Sequence, residues 1–320
     1  MRTLAALICC APLAIAPGTA LATHVGCGAV VTQDTTLDSD LVDCPANGVH
    51  IAGSGVTLDL AGHTIDGAGA FGVITIGRSS GVTVTGGRVR GFHIAVAGEG
   101  GQFVASDLEV SGSHNGIRLG TSSAVVARVL AWGNDGSGLN MSGSRNVLVI
   151  DSVMVANAAG VSAPGVGSSR LERNFFGWNT YHGLRGGMSD SVLLGNRVHA
   201  NGTVGIRLEE GSSGNVLSGN RVSDSGADGI ALADDSGANR LERNRSARNG
   251  ADGFDIAGAG ATLVRNRADR NTGLGFDAPL GWRSTYTTPR DTTATRASAR
   301  ASTVVPAGAS ARSAHPVTSL

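Results

Sequence analysis

Gly205-Ile206-Arg207-Leu208, Gly229-Ile230-Ala231-Leu232 and Gly253-Phe254-Asp255-Ile256 repeat one tetrapeptide pattern at intervals of 24 residues. Glycine followed by an apolar residue also stands at Gly116-Ile117, Gly138-Leu139, Gly160-Val161, Gly183-Leu184 and Gly275-Phe276. The successive steps are 22, 22, 23, 22, 24, 24 and 22 residues. Upstream, Gly48-Val49 and Gly72-Val73 continue the series, and His93-Ile94 fills the slot before Gly116 without the glycine. Other lanes keep the same step. One is Leu171, Leu193, Leu217, Leu241 and Leu263; a second is Asn174, Asn196, Asn220, Asn244 and Asn266; a third is Asn179, Asn201, Ser225, Asn249 and Asn271. A period of roughly 20 to 50 residues marks a solenoid or an array.

The local pattern chooses between helical and β repeats. Gly55-Val56-Thr57-Leu58, Gly81-Val82-Thr83-Val84 and Gly205-Ile206-Arg207-Leu208 alternate apolar and polar residues with period two. Gly, Ser, Asn and Asp punctuate every few residues and leave no room for an amphipathic helix. Each repeat is therefore one turn of a wide β-coil stacked on the next at strand spacing. The fold class is all-β, a right-handed parallel β-helix (solenoid) of about eleven coils, roughly 50 Å long. Residues one repeat apart sit above one another, so Ile206, Leu208, Ile230 and Leu232 are expected in the core. The Asn lanes are expected either to hydrogen-bond as ladders along the axis or to be exposed turn residues. The glycine slots are expected to let the backbone bend tightly.

Two further stretches support this. Cys27-Gly28-Ala29-Val30-Val31-Thr32, with Thr36-Leu37 and Leu41-Val42-Asp43-Cys44-Pro45, is followed by Gly55 through Ile65 (GVTLDLAGHTI). Together with Gly214 through Val222 and Asp228 through Leu232, they resemble bacterial exported β-helix proteins with NosD-type repeats. The resemblance covers roughly residues 27 to 277. It implies a pectate-lyase-like superfamily whose members include pectate lyases, polygalacturonases, mannuronan epimerases and non-enzymatic surface proteins. Fold alone does not select among these.

Composition sets the bounds. Glycine reaches 49 residues and aromatics only 4%, so the core is built from Val, Leu, Ile and Ala. Net charge is +0, with 25 basic residues that are all Arg, and this balance gives no case for nucleic acid. Met1-Arg2-Thr3, an apolar run from Leu4 to Ala16 and the small-x-small site Ala20-Leu21-Ala22 read as an export signal over residues 1–22. The run is shorter than the roughly 20 residues of a membrane span, and no later segment qualifies. Residues 23–47 are expected to cap the solenoid, 48–281 to form it, and 282–320 to be a disordered tail. Trp282 and Tyr286 are candidates to cover the last coil. Cys9 and Cys10 fall in the signal. In an oxidising compartment Cys27 and Cys44 are expected to pair, two free buried thiols being the alternative.

Well-known catalytic signatures are missing. The polygalacturonase pattern and the Asp-Pro-His-Asp tetrad of the epimerases do not occur, and Asp234-Asp235 stands alone in an expected turn. No HExxH, EF-hand loop or Cys/His cluster indicates a metal site. Copper handling, which the NosD name suggests, would need Met, His or Cys clusters, and Met141, Met154, Met188 and scattered His do not supply them. A positional argument remains. If each Gly-Ile pair opens a strand, the next residue points outward, and Arg118, Asn140, Ser162, Arg185, Arg207, Ala231, Asp255 and Asp277 form one outer lane. Phe175, Phe176, Trp178, Tyr181 and His182 gather rare ring side chains nearby. Arg with carboxylates and rings suits an acidic sugar: charge for uronate groups, ring faces for pyranoses. Arg185 and Arg207 are the candidate catalytic residues, with His182 as an alternative base. Trp178, Tyr181 and Glu209 are candidate ligand contacts. If the protein is a lyase, Ca2+ is the cofactor this chemistry would bring in to neutralise the uronate. The expected partner is an extracellular or envelope polysaccharide, bound or processed by an exported protein. The alternative is a non-catalytic structural or surface-interaction solenoid.

Overall fold

The computed structural model describes residues 24–258 and 260–278, and the backbone of two short strands, Arg283–Thr285 and Thr288–Pro289. The segment 1–22 and most of 282–320, including Trp282 and Tyr286, lie outside the described residues. No helix occurs among the described residues, and every strand pairing is parallel. Register fixes the winding. On one lane Val30 pairs with His50, then Ile74, Ala97, Arg118, Asn140, Ser162, Arg185, Arg207, Ala231, Asp255 and Asp277. Those successive pairings amount to about eleven turns of a β-solenoid. The strands Ala29–Val31 and Leu41–Cys44 already pair with the following coil, so they form a first coil themselves. Cys27 and Cys44 are joined by a disulfide across it. At the other end Thr262–Val264 pairs with Arg283–Thr285, so the ladder continues past residue 281.

From residue 170 on, each coil presents three faces. The first holds Leu184–Gly186, Ile206–Leu208, Ile230–Leu232, Phe254–Ile256 and Phe276–Asp277. The second holds Arg170–Glu172, Val192–Leu194, Val216–Ser218, Arg240–Glu242 and Thr262–Val264. The third holds Phe175–Gly177, Arg197–His199, Arg221–Ser223, Arg245–Ala247 and Arg267–Asp269. Inward residues stack like on like. Leu171, Leu193, Leu217, Leu241 and Leu263 are fully buried, as are Ile206, Leu208 and Ile230, and Leu232 is nearly so. Phe254 and Phe276 stack face to face at 4.7 Å.

The corners explain the Asn lanes. Between the second and third faces the chain turns on one left-handed residue, which is Arg173, Gly195, Gly219, Arg243 or Arg265 in successive coils. The residue after it is the lane Asn, which is buried. Asn196 shows the bonding. Its Nδ2 donates to the Leu171 carbonyl at 2.9 Å and to Asn220 Oδ1 at 3.0 Å, while its Oδ1 accepts from Asn174 N and Nδ2, both at 3.0 Å. All four hydrogen-bonding valences of a buried amide are thus satisfied. A second ladder follows Trp178, Ala200, Asp224, Arg248 and Arg270, all left-handed, at the corner leaving the third face. A third and shorter ladder, Asn215 to Asn239, was not apparent in the sequence lanes.

The glycine slots have a different cause from the one expected. Gly183, Gly205, Gly229 and Gly253 are not among the positive-φ residues. A Cβ on Gly205 would lie 2.7 Å from the Gly229 carbonyl and 2.3 Å from Val222 Cγ1; on Gly183 it would lie 2.9 Å from Asn201 Nδ2. Close stacking against the next coil and its Asn ladder requires these glycines, and bending does not.

Candidate functional site

The first face carries the outward lane the spacing suggests. Arg185 and Arg207 are direct partners in register, and so are Asp255 and Asp277, with Ala231 between the two pairs. Arg185 Nη2 pairs with Glu209 Oε1 at 3.2 Å. No carboxylate among the described residues pairs with Arg207, and its side chain is exposed. Arg207 also lines two neighbouring hollows. One, of about 430 Å³, has Pro164, Gly187, Glu209 and Glu210 in its wall. The other, of about 200 Å³, runs past Ala231 to Asp234 and Asp255. Small residues at 231 and 233 open the space between the cation and the carboxylates.

The carboxylates beyond that gap influence one another. Half-burial pushes the Asp255 carboxyl up to about 6, with the charges of Asp228, Asp252 and Asp277 adding to the effect and Arg207 opposing it. Asp252 is also raised, first by burial, although it accepts the Leu274 N–H. Asp228 in turn accepts the Asp252 N–H at 2.9 Å, so Asp228 and Asp252 also tie successive coils together. A carboxyl pushed up to about 6, two coils along the lane from a guanidinium with no ion pair among the described residues, is the kind of perturbed group that acid–base sites use.

His182 sits at the edge of this face, half-buried. Burial holds it below its ordinary value, and the Arg185 and Arg207 charges push the same way. Its Nδ1 lies 2.9 Å from Thr203 Oγ1. The adjacent Tyr181 is 56% exposed. Of the sequence candidates, Arg185, Arg207, His182 and Glu209 therefore gather at one face, and Tyr181 immediately precedes His182 in the chain. Trp178 is placed elsewhere. Its left-handed backbone turns it around the corner, and its ring packs edge-on against Phe175 and His199 of the third face. Phe176 points into the core. Asp234 and Asp235 occupy a turn, where Asp235 accepts the Gly211 N–H. Among the described residues no group of three or more His, Cys, Asp or Glu is arranged to hold a metal ion.

Sequence reasoning gave Asp255 a place in the lane and no role, and did not single out Asp228 or Asp252. Their signal was present: Asp228-Gly229 and Asp252-Gly253 put a carboxylate immediately before the repeated glycine in adjacent coils.

Residues 137–283 match the family described as the right handed beta helix region. The chain carries a right-handed β-helix. Solved structures agree on the fold. The β-helix is similar to the periplasmic alginate epimerase AlgG at 17% identity, with a TM-score of 0.59, covering 81% of this chain and 73% of that one. It is similar to the Dettilon tailspike protein at 17% identity, with a TM-score of 0.54, covering 81% of this chain and 60% of that one. No curated protein sequence matches the chain. Among the described residues no helix is long and apolar enough to cross a membrane.

Proposed function

We propose that the β-helix is an exported protein that binds or processes an acidic extracellular or envelope polysaccharide along its first face. The observation that carries this reading is Arg207, an exposed guanidinium without a carboxylate partner among the described residues, shared by two hollows. A guanidinium in that position offers a bidentate site for a uronate carboxylate. Arg185, held by Glu209, supplies a second positive charge one coil away. Tyr181 offers a ring face at the same edge.

The same residues suit chemistry beside a carboxylate. With a uronate neutralised on Arg207, His182 in its neutral form is a proton acceptor for the carbon next to that carboxylate. In an elimination, the electron pair of that C–H bond forms the new double bond, the glycosidic C–O bond breaks, and the leaving oxygen takes a proton from solvent. The fold likeness of the β-helix to a protein whose name is alginate epimerase supports the substrate class.

The test is binding and turnover of polyuronates by the purified protein. Arg207→Gln should weaken polyuronate binding by about tenfold, as loss of a charge-assisted contact predicts. Release of unsaturated sugar, lost in His182→Ala, would make the face catalytic. Binding without product would place the β-helix among non-catalytic surface-interaction solenoids. Unchanged binding in Arg185→Gln/Arg207→Gln would remove the first face from consideration.

A further inference from the structure

The third face carries a charge array that the first-face reading does not use. Each ladder Asn of the second-to-third-face corner is followed by an arginine in four successive coils: Asn196-Arg197, Asn220-Arg221, Asn244-Arg245 and Asn266-Arg267. The register makes these arginines direct neighbours, Arg197 on Arg221, Arg221 on Arg245, Arg245 on Arg267. Their backbones are thus spaced by one strand separation, about 4.8 Å. Arg248 and Arg270 flank the same face from its corner. Six arginines meet two carboxylates there, Asp224 and Asp269. Asp224 pairs with Arg248 at 2.7 Å, and Asp269 pairs with Arg245 at 3.0 Å and Arg267 at 3.1 Å. Arg221, in the middle, has no ion pair among the described residues. It lines a hollow of about 260 Å³ with Arg197, Ser223, Arg245 and Arg248.

Like charges stacked directly across strands destabilise a sheet. A chain whose net charge is +0 has concentrated positive charge here and left it only partly compensated. The row ends at an aromatic platform. Arg197 lies over the Phe175 ring at 5.3 Å, and Trp178, 57% exposed, packs edge-on to Phe175 and His199.

We propose that this third face is a second binding surface, for a linear acidic glycan lying along the solenoid axis. Its anionic groups would sit on Arg197, Arg221 and Arg245, and one sugar ring against Trp178. The geometry selects the partner. The row is one residue wide and advances by one strand spacing per charge, which is comparable to the advance of one sugar in an extended 1,4-linked chain. A membrane surface needs a broad plane of basic and apolar groups. Single-stranded nucleic acid needs a ring for each successive base, and this row has rings only at one end. The proposal does not rest on the first-face reading, and the two faces can be separated by mutation.

The experiment measures binding of the full chain to polygalacturonate, with dextran as the neutral control. Parallel arms use a single-stranded oligonucleotide and phosphatidylglycerol vesicles. The parent should bind polygalacturonate with an affinity that falls steeply with salt, and should not bind dextran. Arg221→Gln/Arg245→Gln should weaken binding about tenfold and flatten the salt dependence, with a melting temperature no lower than the parent's. Trp178→Ala should weaken it further. Arg221→Lys/Arg245→Lys keeps the charge and should retain part of the affinity; it carries the test if the Gln pair does not fold. The proposal is overturned if the Gln pair binds as the parent does, if Arg185→Gln/Arg207→Gln alone removes all binding, or if the third face takes only the oligonucleotide or the vesicles. Failure of the first-face reading would appear differently, as unchanged binding and turnover in Arg185→Gln/Arg207→Gln, and would leave this result standing.

Discussion

Asp255 couples the first face to pH. Its carboxyl titrates at about 6 in the fold against an ordinary value of 3.8, chiefly because it is half-buried and then because three other aspartates surround it. The folded state therefore holds this proton more tightly than the unfolded chain does. The associated stability is fully present below about pH 3.8, declines as pH rises, and is gone above about 6. Asp255→Asn removes the ionisation and should raise stability at pH 7 by about 1 kcal/mol, a figure already reduced for solvent screening. At pH 4 the variant and parent should melt alike. Thermal unfolding at the two pH values checks this, and an equal gain at both would assign the effect to something other than charge. Arg207 lowers the Asp255 value, so Arg207→Gln should carry that decline in stability to higher pH.

Among structural elements, the corner formed by one left-handed residue followed by a stacked Asn is the most demanding. Asn220 Nδ2 donates to the Leu193 carbonyl at 2.8 Å and to Asn244 Oδ1 at 2.9 Å, and its Oδ1 accepts from Asn196. Asn220→Ala would leave buried donors and acceptors in two coils unpaired and should cost about 3 kcal/mol or more. Ser225 occupies the equivalent place in the other ladder, and its Oγ is buried with no hydrogen-bond partner. Asn201 above it and Asn249 below it fit beside glycines in the same way that Ser225 fits beside Gly205. Ser225→Asn should complete the ladder and stabilise by about 1 kcal/mol, whereas Gly205→Ala should destabilise by about 1 to 3 kcal/mol through overpacking against Val222 and the Gly229 carbonyl. Urea unfolding of the three variants checks all of these. The Leu and Asn lanes were legible in the sequence because in-register stacking forces like residues onto one period. The same period held the Arg197 to Arg267 row, visible as a recurring Asn-Arg pair. What the period does not contain is the angle of each corner. Trp178 is three residues from Tyr181 in the chain, yet a single left-handed backbone step sends it to another face. Asp255 lay in a recognised lane, but its raised value comes first from burial and then from Asp228, Asp252 and Asp277, and the period encodes neither.

The whole molecule is a one-dimensional stack, in which each coil is held by its neighbours and the terminal coils have one neighbour only. The first coil shows how that end is secured. Ala29–Val31 lies on Val49–Ile51, Thr35 and Thr36 on Leu58 and Asp59, and Leu41 on Ile65, all on one side. Its inward residues Val31, Leu37, Leu41 and Cys44 are nonetheless buried, while Val30, on the outward lane, and Val42 are more than half exposed. The Cys27–Cys44 disulfide closes this coil over a sequence separation of 17 residues. Closing a loop of that size is worth about 3 kcal/mol on the chain-entropy account. In a globular core that energy would be shared by the whole domain. In a stack it falls on the coil that is cross-linked, because opening residues 24–47 breaks contacts with one neighbour and leaves the remaining coils intact. Cys27→Ser/Cys44→Ser should therefore raise amide exchange strongly in the strands Ala29–Val31 and Leu41–Cys44 and modestly in Val49–Ile51. Protection in the coils from Leu171 to Leu263 should stay at the parental level. The main melting transition should shift little, preceded by a small early loss of β-signal. Uniform acceleration of exchange along the chain would show that the solenoid unfolds as one unit, with the disulfide stabilising all of it.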